Sequence, residues 1–205
     1  MLKLYYAPGT IATASVMCLR ETGLEHELVA LDFTQSAQMT PEYQRINPKG
    51  RVPALDLGGE ILTETGAILE YLAALAPEKG LVPEDPLKAA RMREVMFYLA
   101  STMHVNHAHK RRGHRWADKE ESRADMSAKV PQTMTESARY MEENVITGPY
   151  LFGEELCVAD FYFYAICNWL EGDRVDVTQF PKIGAFRQAM RELASVAATH
   201  DDNIL

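Results

Sequence analysis

The stretch Asn47-Pro48-Lys49-Gly50-Arg51-Val52-Pro53-Ala54-Leu55, followed by Leu62-Thr63-Glu64-Thr65-Gly66-Ala67-Ile68-Leu69-Glu70-Tyr71-Leu72, decides how this chain folds. Asn47-Pro48 and Lys49-Gly50 are turn chemistry. Pro53 has no N–H to give a ladder, so residues 51–55 suit a sheet edge or the start of a strand, not a central strand. Residues 54–57 and 60–62 read as short strands around Gly58-Gly59, a dipeptide suited to a tight hairpin. Thr63 reads as a helix N-cap, with Glu64 placing negative charge in the first turn. Ala67, Ile68, Tyr71, Leu72 and Leu75 recur at helical spacing, and Pro77 closes the pattern.

Working outward, residues 2–6 form a β-rich run halted by Pro8-Gly9. Residues 10–22 read as a helix stopped by Gly23, and residues 27–31 as a second strand. Thr40-Pro41-Glu42 starts a short helix with Pro41 at its first position. A helical crossover between the first two strands implies a parallel pair, and the Gly-Gly turn an antiparallel one. The expectation is a thioredoxin-like βαβαββα domain over residues 1–78, an α/β unit with helices on both faces of a small mixed sheet. Residues 79–85 form a linker and residues 86–205 an all-α helical domain.

In that second domain a long helix is expected from Asp85-Pro86 to about His114. Another runs from about Glu120 to Asn144, kinked or broken at Pro131. Val158-Ala159-Asp160-Phe161 opens a buried apolar helix reaching about Leu170. Asp160 follows Cys157 at capping-box spacing. Residues 181–193 read as the last helix, and the tail 200–205 as polar and loose.

The chain has 205 residues and is 47% apolar, enough for one large core or two small ones. No apolar run is long enough to span a bilayer, and Met1-Leu2-Lys3-Leu4 leads into a strand without signal-peptide character. A net charge of −8 argues against generic nucleic-acid binding. Cys18, Cys157 and Cys167 are odd in number, far apart and not in a Cys-x-x-Cys arrangement. That fits a reducing compartment, with the cytoplasm as the expected location.

A helix start holds a carboxylate through its unpaired N–H groups and dipole. Glu64 beside it can hold an ammonium, and Thr65 adds a hydroxyl. The residue before a proline favours extended geometry, so the Val52 backbone can pair with an extended peptide. A ligand with an amino group and a carboxylate on one carbon, followed by an extended peptide, meets all three: glutathione. These residues resemble the glutathione-binding half of a cytosolic glutathione transferase, in particular the bacterial beta-like branch. The resemblance covers nearly the whole chain and is most specific over residues 47–72. It implies a cis peptide at Pro53 and cysteinyl pairing by the Val52 backbone. It also implies a γ-glutamyl end held by Glu64 and Thr65, and a homodimer with its site near the subunit interface. It gives the Val158–Asp160 motif a folding role, with Cys157 where the family usually has Ser or Thr. A groove filled by side chains, or a Glu64 turned away and neutralised by an internal cation, would count against the reading.

Catalysis would sit at Tyr5-Tyr6-Ala7-Pro8-Gly9-Thr10, which leads into the first helix. A thiolate at that helix start is stabilised by N–H groups and the dipole, and a hydroxyl donor adds to this. The enzyme then needs only to hold glutathione, keep its sulfur ionised and seat an electrophile beside it. The resembling branch carries a cysteine where this chain has Ile11, and a related serine where it has Ala12. Thiol-reductase chemistry is therefore not expected. Thr10 with its backbone N–H, Tyr6 and Thr13 are the candidate donors, and Ile11 lines the glutathione site. The related loop lysine is missing near Gln35 and Ser36. Gln35 remains the polar candidate there, and Arg51 can meet the glycyl carboxylate.

The resemblance also places His104 near the thiol, in a bridging or proton-handling role. His104, His107, His109 and His114 crowd one segment, but no Cys or carboxylate completes a metal site, and none is expected. Lys110-Arg111-Arg112-Gly113-His114-Arg115 reads as a solvated helix end, with attraction of an anionic substrate the lesser alternative. The function implied is conjugation of glutathione, as co-substrate, to a small electrophile. The alternatives are a glutathione-dependent isomerase or peroxidase, and a non-catalytic binding protein on the same fold.

Overall fold

A computed structural model describes residues 1–205. Its first portion contains β1 (Leu2–Tyr6), α1 (Ala12–Thr22), β2 (His26–Ala30), α2 (Pro41–Ile46), β3 (Ala54–Asp56), β4 (Ile61–Thr63) and α3 (Thr65–Leu75). The strands lie in the order β2-β1-β3-β4. β1 runs parallel to β2 and antiparallel to β3, so Leu4 faces Leu28 on one side and Leu55 on the other. β3 and β4 form the expected antiparallel hairpin. Asp56 closes its turn, Oδ1 accepting from the Gly58 and Gly59 N–H groups at 2.8 and 2.9 Å. Both glycines have positive φ, 92° and 126°, which explains the residue type there.

Leu4 and Leu55 are fully buried in a core shared with α1 and α3. Side chains alternate along a strand, so Tyr5 points to the opposite face and meets Tyr43 of α2 edge-on. Pro53 sits immediately before β3, whose neighbours are β1 and β4. Of the two places open to that proline, the strand start is the one used.

Thr63 does not cap α3. It ends β4, where the ladder pairs it with Ala54, and Glu64 takes the N-cap position with no side-chain cap bond. Glu64 has φ 72°, the left-handed region that disfavours a side chain. A non-glycine residue held there costs on the order of 1–3 kcal/mol and marks a place to look for function. The first N–H groups of α3 are left without a protein cap. α1 likewise begins at Ala12 rather than Thr10, because Gly9 at φ 66° and a hydroxyl-bonded turn at Thr10 come first.

The second portion contains α4 (Pro86–Tyr98), α5 (His104–Arg112), α6 (Glu120–Asn144), α7 (Val158–Cys167), α8 (Pro181–Glu192) and α9 (Ala194–Asp201). Asp85 caps α4, accepting from the Lys88 N–H at 2.8 Å. The helix expected to run unbroken to His114 is interrupted at Leu99–Met103 by a π turn. Such a turn adds a residue to the helical repeat and re-aims the side chains that follow, here His104 onward. α6 is not broken at Pro131, which lies inside one continuous helix.

Every residue of α7 is buried. The capping box forms with a sulfur: Cys157 accepts from the helix, and Asp160 accepts the Cys157 N–H at 2.7 Å. The other Asp160 oxygen takes the Leu151 N–H at 2.8 Å. Complete burial pushes the Asp160 carboxyl up to about 6 despite these bonds.

The tail is a correction. α9 follows α8, and its buried polar side chains reach the first portion. Ser195 donates to Glu21 at 2.6 Å, and Arg20 donates to Thr199 at 3.1 Å and pairs with Asp202. Ile204 is buried and its carbonyl accepts the Gly9 N–H at 2.9 Å. The sequence offered no apolar period here because polar contacts hold the segment. No helix is long and apolar enough to cross a membrane.

Candidate functional site

Two adjoining cavities open between the sheet's loops and α5. The first, of about 150 Å³, is reached by Arg51, Val52 and Pro53 before β3, by Glu64 and Thr65 at the start of α3, and by His104. Ile11 shares it. The second, of about 400 Å³, shares Ile11, Arg51, Val52, His104 and Arg115 with the first and adds Thr10, Trp169 and Arg112.

The Val52–Pro53 peptide is cis. Neither the N–H nor the C=O of Val52 takes part in any hydrogen bond of the chain. The Arg51 carbonyl next to it is held twice, by the Tyr43 hydroxyl and the Asn47 amide, each at 2.7 Å. These bonds fix the loop and leave the following peptide groups facing the cavity. An unpaired backbone N–H and C=O on a fixed loop can add an extended peptide as a further strand.

Glu64 meets Lys49 Nζ at 2.5 Å, and Lys49 also donates to the Thr63 hydroxyl at 2.7 Å. The carboxylate is thus paired with an internal cation, but it is not turned away from the cavity. The pair is open to water, with 72% of the Glu64 side chain exposed and 46% of Lys49. An exposed pair of this kind is worth about 0–1 kcal/mol, which an incoming ammonium on Glu64 can offset. Both residues line the cavity, and the groove is not filled by side chains. Lys49 was not singled out from sequence; its position within the turn hid it. Tyr162 of α7, also in this cavity, was missed too. Its hydroxyl lies by Thr65, and burial raises its pKa, with the Glu64 charge adding.

Thr10 reaches the second cavity, but its hydroxyl already donates to the Ala7 carbonyl at 2.7 Å and accepts the Ala12 N–H at 3.3 Å. The Ile11 N–H has no partner in the chain. Tyr6 and Thr13 lie elsewhere. Tyr6 is buried in the sheet core, and Thr13 is buried within α1, donating to the Thr10 carbonyl at 2.9 Å. Gln35 is exposed in a 3-10 turn and lines neither cavity; Gln38 and Phe33 of that loop line the second.

His104 stands at the junction of both cavities. Its pKa is lowered to about 3, first by burial and then by Arg112, His107, Arg115 and Arg51, so it is neutral near pH 7. His107 does something different. Its Nδ1 lies 2.6 Å from Asp173, a fully buried carboxylate that also accepts from Lys110 at 3.0 Å. The His107 ring stacks on Trp169 at 4.1 Å between centroids. Trp169 in turn donates its indole N–H to the Gly9 carbonyl at 3.1 Å. Trp169 and Asp173 come from the turns after α7, a segment whose sequence gave no functional signal. No group of three His, Cys, Asp or Glu side chains is placed to hold a metal ion.

A small mixed sheet with a groove at a helix start, roofed by a bundle of helices, defines a thioredoxin-like protein with an all-helical second portion. Comparison with known proteins gives that class its family. Residues 1–74 match the glutathione S-transferase N-terminal domain and residues 107–198 the glutathione S-transferase C-terminal domain. A crystal structure of a glutathione transferase homolog from Sulfitobacter, with bound glutathione, is 52% identical, with a TM-score of 0.98 over 100% of this chain and 99% of that one. Glutathione S-transferase GstA of Escherichia coli O157:H7 is 28% identical over 198 residues, 95% of each chain. A maleylacetoacetate isomerase of Pseudomonas aeruginosa is 28% identical over 97% of this chain and 92% of its own length. The chain belongs to the glutathione S-transferase family.

Proposed function

We propose that the protein binds glutathione in the first cavity and transfers its thiolate to a small electrophile held in the second. The unpaired Val52 backbone, facing a groove that also receives Glu64 and Thr65, carries this reading. The cysteinyl unit pairs with Val52. The γ-glutamyl carboxylate meets the uncapped start of α3 and the Thr65 hydroxyl, and its ammonium meets Glu64. Lys49 is close enough to share that carboxylate. The glycyl end lies towards Arg51. The sulfur then falls beside Ile11, whose free N–H, at the start of α1, stabilises a thiolate. The Thr10 hydroxyl is spoken for by Ala7, which moves the assignment to the backbone at this turn. His104 is neutral and, with its basicity suppressed, can hydrogen-bond the thiol or the electrophile but does not hold the thiol proton. The 52% identical structure holding glutathione supports the same occupant here.

Calorimetric titration with glutathione tests the reading, together with turnover of an activated aryl halide. Binding raises the thermal midpoint with ligand concentration, since only the folded chain binds. Glu64→Gln and Thr65→Val each weaken binding by about tenfold, the loss of one charge-assisted or neutral hydrogen bond. Absence of heat and of any midpoint shift defeats the proposal. Binding without turnover leaves a glutathione-carrying module. A glutathione-dependent isomerase is the second reading, favoured by the isomerase relative; product analysis with activated halides and with a cis-enone substrate separates the two. Hydroperoxide turnover tests the peroxidase alternative, which the absence of cysteine at Ile11 disfavours.

We further take residues 1–78 and 86–205 as two domains joined by the linker 79–85, assembled as a cytoplasmic homodimer. Phe97 and Leu87 on α4 are 72% and 67% exposed, apolar surface suited to a subunit contact. Light scattering at twice the chain mass of 23.0 kDa checks the dimer. The three cysteines are free and buried, which suits a reducing compartment.

A further inference from the structure

Three guanidinium groups converge on the second cavity from two separate segments. Arg51 comes from the loop before β3, and Arg112 and Arg115 from the end of α5 and the turn after it. None of the three forms a salt bridge, although eight other Lys or Arg residues of the chain pair with carboxylates within 4.0 Å outside this cavity. No Asp or Glu lines the cavity, and His104, His107 and His114 are its other titratable groups. The guanidiniums sense one another: burial and Arg51 together lower the pKa of Arg112, and burial, Arg51 and Arg112 lower that of Arg115. Lys110 of the same basic run points elsewhere, to Asp173 and the Gly172 carbonyl. The run is therefore not a uniformly solvated helix end.

Like charges held together at a low-dielectric wall focus a positive potential and raise the local concentration of anions. Glutathione bound as above brings one carboxylate, its glycyl end, to Arg51. Two guanidiniums then remain uncompensated. Guanidinium forks match carboxylates two bonds at a time, which favours a planar anion over a neutral group of equal size.

We propose that the electrophile taken by the second cavity is anionic, a small molecule bearing a carboxylate that Arg112 and Arg115 receive, with its reactive carbon turned towards Ile11. Trp169, on the same wall, supplies an aromatic face for an unsaturated or aromatic body. With an aryl chloride the thiolate sulfur forms the C–S bond. Chloride leaves with the bonding pair, and the thiol proton passes to solvent. The inference rests on the glutathione reading of the first cavity and adds the class of its partner.

Two matched conjugates test it without requiring turnover: the glutathione adducts of 4-chloro-3-nitrobenzoate and of 4-chloro-3-nitrobenzamide, titrated into the whole protein by calorimetry beside glutathione alone. The carboxylate adduct binds at least about tenfold tighter than the amide, the scale of a charged hydrogen-bonded pair. That ratio falls towards one in Arg112→Gln and in Arg115→Gln, and shrinks in 0.5 M salt. Because the readout is a ratio within each variant, a general loss of affinity or stability does not imitate it. Equal affinity for the two adducts, or preference for the amide, overturns the proposal while leaving the glutathione site intact. Failure of glutathione and both adducts to bind overturns the underlying reading and this one with it.

Discussion

At the scale of single residues, the site is defined by backbone groups that no side chain announces. Val52 and Ile11 read as ordinary apolar residues, yet each leaves an N–H unpaired at a cavity wall. The candidate hydroxyls were legible as residue types, but their bonds were not: Thr10 is engaged with Ala7, Thr13 with Thr10, and Tyr6 is packed in the core. Ile11→Cys tests where the sulfur lies. With oxidised glutathione, a thiolate at that position attacks the disulfide, forms a mixed disulfide and releases one glutathione. The expected result is a mass gain of one glutathionyl group, absent in the parent chain. A cysteine there that stays free places the sulfur elsewhere. His104 gives a pH signature. Unfolded it titrates near 6.5, folded near 3. Both states are neutral at pH 7, so nothing is lost there. As pH falls through 6.5 the unfolded chain takes up a proton that the folded chain refuses, and stability drops until about pH 3. Between pH 7 and 5 this amounts to about 1–2 kcal/mol. Denaturant unfolding of His104→Gln should show that much less loss on acidification.

At the scale of elements, sequence pattern reached furthest where apolar period or turn chemistry sets the structure. The β1-α1-β2 crossover, the Gly58-Gly59 hairpin and the Asp85 cap follow from such signals. It fell short where backbone demands from elsewhere intervene. Thr63 has good capping chemistry, but its ladder to Ala54 keeps it in β4 and forces Glu64 into a left-handed N-cap. The π turn at Leu99–Met103 carries no residue that marks it, and α9 is held by Ser195 and Thr199 rather than by an apolar stripe. The α7 cap is the element most open to direct measurement. Asp160→Ala leaves two buried N–H groups, those of Leu151 and Cys157, without acceptors. Each such loss costs about 1–3 kcal/mol, so unfolding free energy should fall by about 3 kcal/mol. A change under about 1 kcal/mol would mean that water reaches the cap. The carboxyl's own titration runs opposite to that of His104. Its folded pKa is raised from 3.8 to about 6, so its stabilising contribution is present below 3.8 and lost as pH rises through about 6.

At the scale of the whole molecule, the helical portion does more than roof the site; it holds the loop where chemistry is proposed. The Gly9 peptide is gripped from both sides by distant segments, its N–H by the Ile204 carbonyl and its carbonyl by the Trp169 indole. Trp169 is itself stacked on His107, which Asp173 anchors from full burial. The turn that presents the Ile11 N–H is thus set by residues more than 150 positions away in sequence, which is why the first portion alone did not reveal it. Trp169→Phe separates this positioning from bulk packing. Phenylalanine keeps an aromatic face for His107 but has no N–H for Gly9. One hydrogen bond at a partly exposed site is worth about 1 kcal/mol, so the thermal midpoint should move by only a few degrees. Positioning of the thiolate should suffer more. The expected outcome is a rise in the pKa of bound glutathione, read from the pH dependence of thiolate absorbance, and a fall in kcat of about tenfold with KM for glutathione little changed. An unshifted thiol pKa beside a normal kcat would show that Gly9 keeps its geometry without the indole, and that the helical portion contributes enclosure alone.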